Sequence, residues 1–583
     1  MSRISLKIVG ASGQGLNSIG EMVARGLKRS GYCVFGYREY PSLIKGGHAS
    51  YQLDIDSEQI RSTEVHVDIL IALNHHGLEK NVIDMKKGGI ILHQTPTWNF
   101  SEENQKVIED RKVTVAYLSI EEILGRLKAK PILSNVILTS CVWSLLKQDM
   151  EALKKLVTEE FGHKKDLLAL NMQCIGEGAA LAKEMNDTRT LPKPKKEWKD
   201  QLLITGSEAM GLGTIHAGVR LYAGYPMTPS SPLLSFIADM QNDTGMVIKQ
   251  AEDEITAAQM VSGAMHMGTR ALTATSGGGF DLMSETVSLN GIIENPTVFV
   301  LAQRPGPATG LPTWTAQADL LMAVDTAHGE FTRCVLSVSD SQDAFDLMPI
   351  AFNLAEKYQI SVIVLTDKQI SEALYTQKPY EMKNATLDRG KLITDTKKLK
   401  TLKATDRYDP KAENGISLRW LPGSDAATYC AQGDEHSSDG TVDESARNAL
   451  EQIEKRMKKM DALKKELPEP ELFGAKDPEL LVVGWGSTKG AVLDALKSED
   501  LSEKKIGYLH YTYLWPLKTS LFDQLQRSAK RVILIEGNYQ GQLGLLLQQL
   551  CRASFHDKIL KYDGRPFFYD EVVSSLLTQS KSL

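Results

Sequence analysis

Apolar residues along this chain fall into two alternating rhythms. Short β-branched runs bounded by glycine read as strands, and longer stretches with apolar residues every three or four positions read as helices. Ser5–Val9 opens as a strand, the loop Gly10-Ala-Ser-Gly-Gln-Gly15 follows, and a helix continues through Leu27. Cys33–Tyr37, Val67–Leu73 and Gly89–His93 read as further strands. The alternation predicts a mostly parallel sheet with helices on its faces. Met246–Lys249, Ala271–Ala274, Thr297–Ala302 and Ser361–Thr366 repeat the rhythm, as do Leu480–Val483 and Arg531–Ile535 near the end.

The pattern predicts a multi-domain α/β chain: one unit over residues 1–190, a charged, proline-bearing linker at 191–199, a second unit at 200–375 and a last one at 476–583. Residues 376–475 form a polar connecting region with few strand signals, ending in a helix from Asp443 to about Glu466. Ala449, Ile453, Met457 and Met460 mark that helix's apolar stripe, its many charges are expected on a solvated face, and Pro468-Glu-Pro470 stops it.

Composition adds mainly exclusions. At 583 residues the chain exceeds one hydrophobic core, and 42% hydrophobic with 24% charged residues is ordinary for a globular protein. A formal charge of -6 gives no reason to expect nucleic acid or an anionic membrane as partner. The longest apolar runs, such as Val362-Ile-Val-Leu365, are strand-length, and Met1 leads into a strand pattern without a signal-peptide profile, so the expected compartment is the cytoplasm. Six cysteines, none closer than 33 residues to another, include no CxxC, so cluster or zinc spacing is lacking and buried thiols are expected.

Candidate chemistry gathers in loops that leave strands. Gly10–Gly15 is spaced G-x-x-G-x-G rather than as a dinucleotide fingerprint, so it is either a tight strand-to-helix turn or an anion-binding turn. Lys45-Gly46-Gly47, with a lysine able to hold a phosphate, lies in a predicted loop. In the second unit come Gly224-Tyr-Pro-Met-Thr-Pro-Ser-Ser231, the acidic helix start Glu252-Asp-Glu254, the turn Thr273-Ala-Thr-Ser-Gly-Gly-Gly279, and Gln303-Arg-Pro-Gly-Pro-Ala-Thr-Gly-Leu-Pro-Thr313. Four unusual loops at four strand ends converge on one rim if the sheet is parallel, and Arg304 there suits bidentate capture of a carboxylate.

These motifs, in this order and spacing, resemble those of the 2-oxoacid:ferredoxin oxidoreductases. More narrowly, the chain is similar to the alpha subunit of the 2-oxoglutarate type with a gamma domain fused at its N-terminus. The resemblance implies a gamma domain first, a thiamine-diphosphate pyrimidine-binding domain second, and a transketolase C-terminal-like domain last, the latter carrying Gly484-Trp-Gly-Ser-Thr488 and Glu536-Gly-Asn-Tyr-Gln-Gly-Gln-Leu543. Met227, Gly278 and Lys45 depart from the residues usual at their positions, isoleucine, proline and arginine, and a lysine meets a phosphate as a point charge rather than through a bidentate fork. Gly-Asp-Gly, the motif that anchors a thiamine diphosphate through Mg2+, is absent, and Gly433-Asp-Glu435 comes nearest.

The resemblance therefore implies a beta subunit holding the diphosphate, Mg2+ and a [4Fe-4S] cluster, an (alpha-beta)2 heterotetramer, and ferredoxin as electron acceptor. The implied reaction is oxidative decarboxylation of 2-oxoglutarate to succinyl-CoA, with pyruvate or a branched-chain or aromatic 2-oxoacid as alternative substrates. Glu254 is expected to face the aminopyrimidine, with Glu252 as fallback and Asp253 as a capping or solvated neighbour. Arg304 is assigned to the substrate's 1-carboxylate, and Thr228 and Thr313 to its oxygens or else to turn support. Tyr225, Pro226, Ser276 and Gly277 are assigned to the cofactor, and Ser12, Gly13, Gln14, Lys45, Gly46 and Gly47 to coenzyme A. His216, His266 and Lys45 are available for a distal carboxylate, without a basis for choosing among them. Two other classes stand beside this reading: an iron-free transketolase-like or decarboxylating thiamine enzyme, and a non-catalytic scaffold or regulatory subunit.

Overall fold

A computed structural model describes residues 3–42, 46–161, 165–185, 187, 189–382 and 386–582. The strands form three sheets. The first has eight, in the order Thr114–Tyr117, Met85–His93, Val67–Ala72, Ile4–Ser12, Gly46–Asp56, Cys33–Glu39, Leu374–Gln377 and Leu202–Thr205. The expected parallel pairing holds from Thr114–Tyr117 to Ile4–Ser12. Beyond Ile4–Ser12 the pairing is antiparallel, because Cys33–Glu39 turns directly into Gly46–Asp56 and the last two strands arrive from later in the chain.

Gly46–Asp56 occupies the segment whose start was read as a loop. Ala49, Tyr51, Leu53 and Ile55 alternate with Ser50, Gln52, Asp54 and Asp56, and both sets are buried. Other segments supply part of the polar set's bonds: Gln52 donates to Ser5 Oγ at 2.9 Å and to the Glu64 carbonyl at 2.7 Å, and Thr63 donates to Asp54 at 2.6 Å, while Asp54 Oδ1 and Asp56 Oδ2 are buried without partners.

The second sheet runs Tyr513–Trp515, Arg333–Ser337, Ser361–Asp367, Thr297–Gln303, Ala271–Thr275, Leu221–Gly224 and Val247–Gln250. Six of its seven strands are parallel to their neighbours, and only Tyr513–Trp515 is antiparallel. Every residue of Thr297–Gln303 and Ser361–Asp367 is buried, as central strands covered on both faces require. The third sheet orders Glu471–Gly474, Ile506–Tyr511, Leu480–Trp485, Arg531–Glu536 and Asp557–Leu560, parallel except at its first pair.

The expected helix of the connecting region spans Ala446–Glu466 with Ser445 as its N-cap. Its charges are not all solvated, a correction to the sequence reading. Lys455, Arg456 and Lys459 are buried while Ile453 is 41% exposed. The two lysines reach the buried Glu294 carboxylate, and Arg456 grips Glu435 with both amino groups at 3.0 and 2.6 Å. A helix with buried cations survives where carboxylates pair with them. Among the described residues no helix is long and apolar enough to cross a membrane.

Candidate active site

Parallel pairing in the second sheet puts the four strand-end loops on one edge, where such sheets bind ligands. Asp253, extended, caps the helix Glu254–His266 by accepting from the Thr256 N–H at 2.7 Å. Its carboxylate is held below the ordinary range by hydrogen bonds from Thr256. Capping aims the next side chain inward. Glu254 is 3% exposed, whereas Glu252 is exposed. The three carboxylates thus separate into a solvated one, a cap and a buried one.

Glu254 Oε1 is buried without a hydrogen-bond partner. A Cβ at Gly279 would lie 2.0 Å from Thr275 Oγ1 and 2.7 Å from Glu254 Oε1, so the glycine leaves room for that carboxylate. Ser276, fully buried, donates from its hydroxyl to the sulfur of Met227. A buried carboxylate oxygen without a partner costs free energy unless a ligand donates to it. A thiamine aminopyrimidine, presenting N–H groups, fits this cradle. Tyr225 and Pro226, both exposed, stand on the neighbouring loop.

Arg304 leaves the end of Thr297–Gln303 and donates to the Thr228 carbonyl at 2.7 Å, so these two expected rim residues meet. Burial lowers the pKa of the guanidinium and Asp319 opposes that effect. Asp319 itself was not anticipated. Its backbone N–H donates to Gln303 Oε1 at 3.0 Å, its Oδ2 is buried without a partner, and a Cβ on Gly277 would come within 3.0 Å of it. Burial, reinforced by Asp281, raises its carboxyl to about 7. No local pattern marks Asp319, whose surroundings come from distant loops.

Thr313 is 5% exposed, and its hydroxyl donates to the Tyr40 carbonyl of the first sheet's loop at 2.7 Å. That bond leaves the hydroxyl's lone pairs, but not its proton, for a substrate. The segment following Thr313 is stitched to the third sheet through Gln317. Gln317 donates to the Trp485 carbonyl at 2.7 Å and accepts from the Gly537 N–H at 2.7 Å, while Asn538 donates to its carbonyl at 2.9 Å. Glu536 anchors that loop by accepting from Trp485, Asn538, Leu543 and Gly544. The late glycine motifs therefore hold the rim from behind.

A cleft of about 560 Å3 runs from Ser12 and Gly13 past Arg38 and Tyr40 to Pro232 and Glu372. Gly13 and Gly15 take positive φ of 94° and 92°, which shapes the turn before the helix Leu16–Ser30. Gln14 Oε1 accepts from the Ala11 N–H of its own loop at 2.7 Å and from Asn74 at 2.8 Å. Gly46 starts a strand, Gly47 is exposed, and Lys45 lies outside the described residues. His216 stacks on Phe345, and His266 packs edge-on against Tyr429 with its pKa lowered by burial.

An α/β chain with this rim belongs by sequence to a class built for thiamine diphosphate. Residues 212–461 match the family described as pyruvate flavodoxin/ferredoxin oxidoreductase, thiamine diphosphate-binding, and residues 5–181 the pyruvate ferredoxin/flavodoxin oxidoreductase family. The 2-oxoacid:ferredoxin oxidoreductase subunit alpha of Sulfolobus sp is 31% identical, covering 99% of this chain and 96% of that protein. Its counterpart in Saccharolobus solfataricus is 32% identical over 98% and 96%. The chain belongs to the 2-oxoacid:ferredoxin oxidoreductase family and is an oxidoreductase subunit of the alpha kind. The 2-oxoglutarate:ferredoxin oxidoreductase of Magnetococcus marinus, solved with 2-oxoglutarate, coenzyme A and succinyl-CoA bound, superposes with a TM-score of 0.91 at 29% identity over 99% of both chains.

Proposed function

We propose that this chain supplies the pyrimidine-side half of an active site that converts 2-oxoglutarate and coenzyme A to succinyl-CoA and CO2 while reducing ferredoxin. The observation that carries the reading is the buried, unpartnered Glu254 Oε1 at a rim that also holds Arg304. Similarity to the Magnetococcus marinus enzyme supports the substrate and coenzyme A, as does the 2-oxoglutarate oxidoreductase subunit KorA of Mycobacterium tuberculosis, 25% identical over 98% of this chain and 91% of that one. A beta subunit carrying the diphosphate site, Mg2+ and a [4Fe-4S] cluster completes the site in an (alpha-beta)2 assembly. Residues 1–190, 200–375 and 476–583 serve as the gamma, pyrimidine-binding and transketolase C-terminal-like domains.

When bound, thiamine diphosphate supplies the carbon nucleophile and electron sink that decarboxylation needs. Glu254 accepts a hydrogen bond from the pyrimidine ring nitrogen and holds a proton there, favouring the tautomer competent for catalysis. Thr275, Ser276 and Gly279 shape its cradle. Arg304 holds the substrate's 1-carboxylate, and its bond to the Thr228 carbonyl fixes the direction of the guanidinium. Thr228 offers its hydroxyl to the keto oxygen, and Thr313 ties this loop to the coenzyme A cleft through Tyr40. Ser12 and Gly13, at the far end of that cleft, take part of coenzyme A.

The deciding experiment is coenzyme-A-dependent dye reduction by the copurified complex with 2-oxoglutarate, pyruvate and 2-oxoisovalerate. Preference for 2-oxoglutarate is expected. Glu254→Ala should lower kcat by about 100-fold or more, and Arg304→Ala should raise the 2-oxoacid KM by roughly 10-fold or more. Turnover of another 2-oxoacid replaces the substrate, and unchanged Glu254→Ala activity overturns the site.

A further inference from the structure

Lys368 is a buried cation that the steps above leave without a task. Its amino group donates to the Arg38 carbonyl and lies 5.3 Å from the centres of both the Tyr37 and Tyr40 rings. Glu372 Oε2 stands 3.7 Å away, with the lysine side chain only 2% exposed. Burial lowers the lysine's pKa, and Glu372 and then Glu39 oppose the shift while nearby Arg38 adds to it. A buried ammonium is expensive without a carboxylate beside it, so Lys368 and Glu372 are mutually required.

The other oxygen of Glu372, Oε1, accepts from the Tyr40 hydroxyl at 2.6 Å. One carboxylate is thereby held by a buried cation and by a phenol, and its residue lines the cleft that starts at Ser12. Its position matters as much as its partners. Glu372 ends the short helix that leaves the strand Ser361–Asp367, at the same sheet edge as the 2-oxoacid rim. Tyr40, which holds it, is the residue whose carbonyl Thr313 holds. The cleft's other carboxylate, Glu39, sits on the first sheet and accepts from Tyr37 at 3.0 Å and Ser50 at 3.4 Å.

The overall conversion has one proton to dispose of. A 2-oxoacid and a thiol give a thioester, CO2, a proton and two electrons, which pass singly to ferredoxin. The bond to the carboxylate carbon breaks, a carbon–sulfur bond forms, and the S–H proton must go to a base. A thiol of ordinary pKa, about 8.5, is mostly protonated at neutral pH. We infer that Glu372 is the general base that takes the coenzyme A thiol proton, with Lys368 and Tyr40 as the positioning residues that fix its carboxylate. The inference rests on the coenzyme A reading of the cleft. A carboxylic acid is a stronger acid than a thiol, so the proton moves as the carbon–sulfur bond forms and does not settle on Glu372 beforehand.

The test uses the copurified complex carrying Glu372→Gln. Two rates are compared: CO2 release from the 2-oxoacid to an oxidant dye without coenzyme A, and thioester formation with it. Coenzyme A affinity is measured separately by equilibrium dialysis, and the ratio of the two rates is followed from acid to alkaline pH. The ratio of coenzyme-A-dependent to independent turnover should fall about 100-fold at neutral pH with coenzyme A still bound. The deficit should shrink roughly tenfold per pH unit toward the thiol's own pKa, as solvent takes over the proton. Tyr40→Phe keeps the carboxylate and removes its hydroxyl partner, and should give a smaller loss with the same pH recovery even if the glutamine variant folds poorly. A wild-type ratio in both variants, or a loss that ignores pH, overturns the assignment. If the wild-type complex binds no coenzyme A, the cosubstrate reading itself falls, and dialysis tells that failure apart.

Discussion

Asp319 sits where the two halves of the rim meet, near Gly277 on one side and Arg304 on the other. Burial and Asp281 raise its carboxyl to about 7, against the pull of Arg304. Below that pH the group is neutral and the guanidinium's charge is available to a substrate carboxylate. Above it, the ionised carboxylate offsets Arg304 and weakens 2-oxoacid binding. The 2-oxoacid KM should therefore climb as pH passes 7, and Asp319→Asn should flatten that rise, which steady-state profiles across neutrality would check. Glu254, Arg304 and Thr228 were readable as candidates because each stands in a compact motif, and burial separates Glu254, the first choice, from its fallback Glu252. Asp319, Tyr40 and Glu372 were not. Tyr40 lies 273 residues from Thr313 and 332 from Glu372, and no local spacing encodes such pairings.

Among elements, the segment Thr313–Leu321 ties the second sheet to loops of the other two. It carries no strand, yet Thr313 binds the first sheet's loop, Gln317 binds two loops of the third sheet, and Leu321 donates to Gln542 at 3.1 Å. Gln317→Ala deletes two side-chain bonds and leaves the half-buried Gly537 N–H without its acceptor, while the Trp485 carbonyl keeps the Thr488 hydroxyl, at a cost of about 1–3 kcal/mol. The predicted signature is a lowered Tm together with a raised 2-oxoacid KM, since Asp319 and Thr313 lose their footing. An unchanged KM would limit Gln317 to stability. Element-scale sequence reading did well on long, periodic pieces and failed on two kinds. The short strands Leu202–Thr205, at the sheet's edge, and Leu374–Gln377, beside it, carry too few residues to show a period. In Ala446–Glu466, a buried carboxylate elsewhere in the chain inverted the usual meaning of a charged face.

At the scale of the whole molecule, the first and last sheets are joined through Asp494, fully buried, which accepts from Arg3 at 3.0 Å, from the Arg61 N–H at 2.7 Å and from Ser62 at 2.7 Å. Asp494→Ala removes the carboxylate that Arg3 hydrogen-bonds, leaving it the nearby charges of Asp54 and Glu64, and should cost roughly 1–3 kcal/mol, seen as a lower Tm in thermal unfolding. Retention of the wild-type Tm would show that Arg3 finds another partner. One further property follows from the strand Leu374–Gln377, which pairs with Cys33–Glu39 and then with Leu202–Thr205. The ribosome delivers Cys33–Glu39 long before either of its outer neighbours. At roughly 5–20 residues per second, tens of seconds pass before Leu374 appears. Throughout that interval the nascent first sheet exposes an unpaired edge, Cys33-Val-Phe-Gly-Tyr37, whose side chains are among the most buried in the finished protein. The structure thus makes synthesis speed and chaperone cover during that interval a determinant of folding yield separate from final stability.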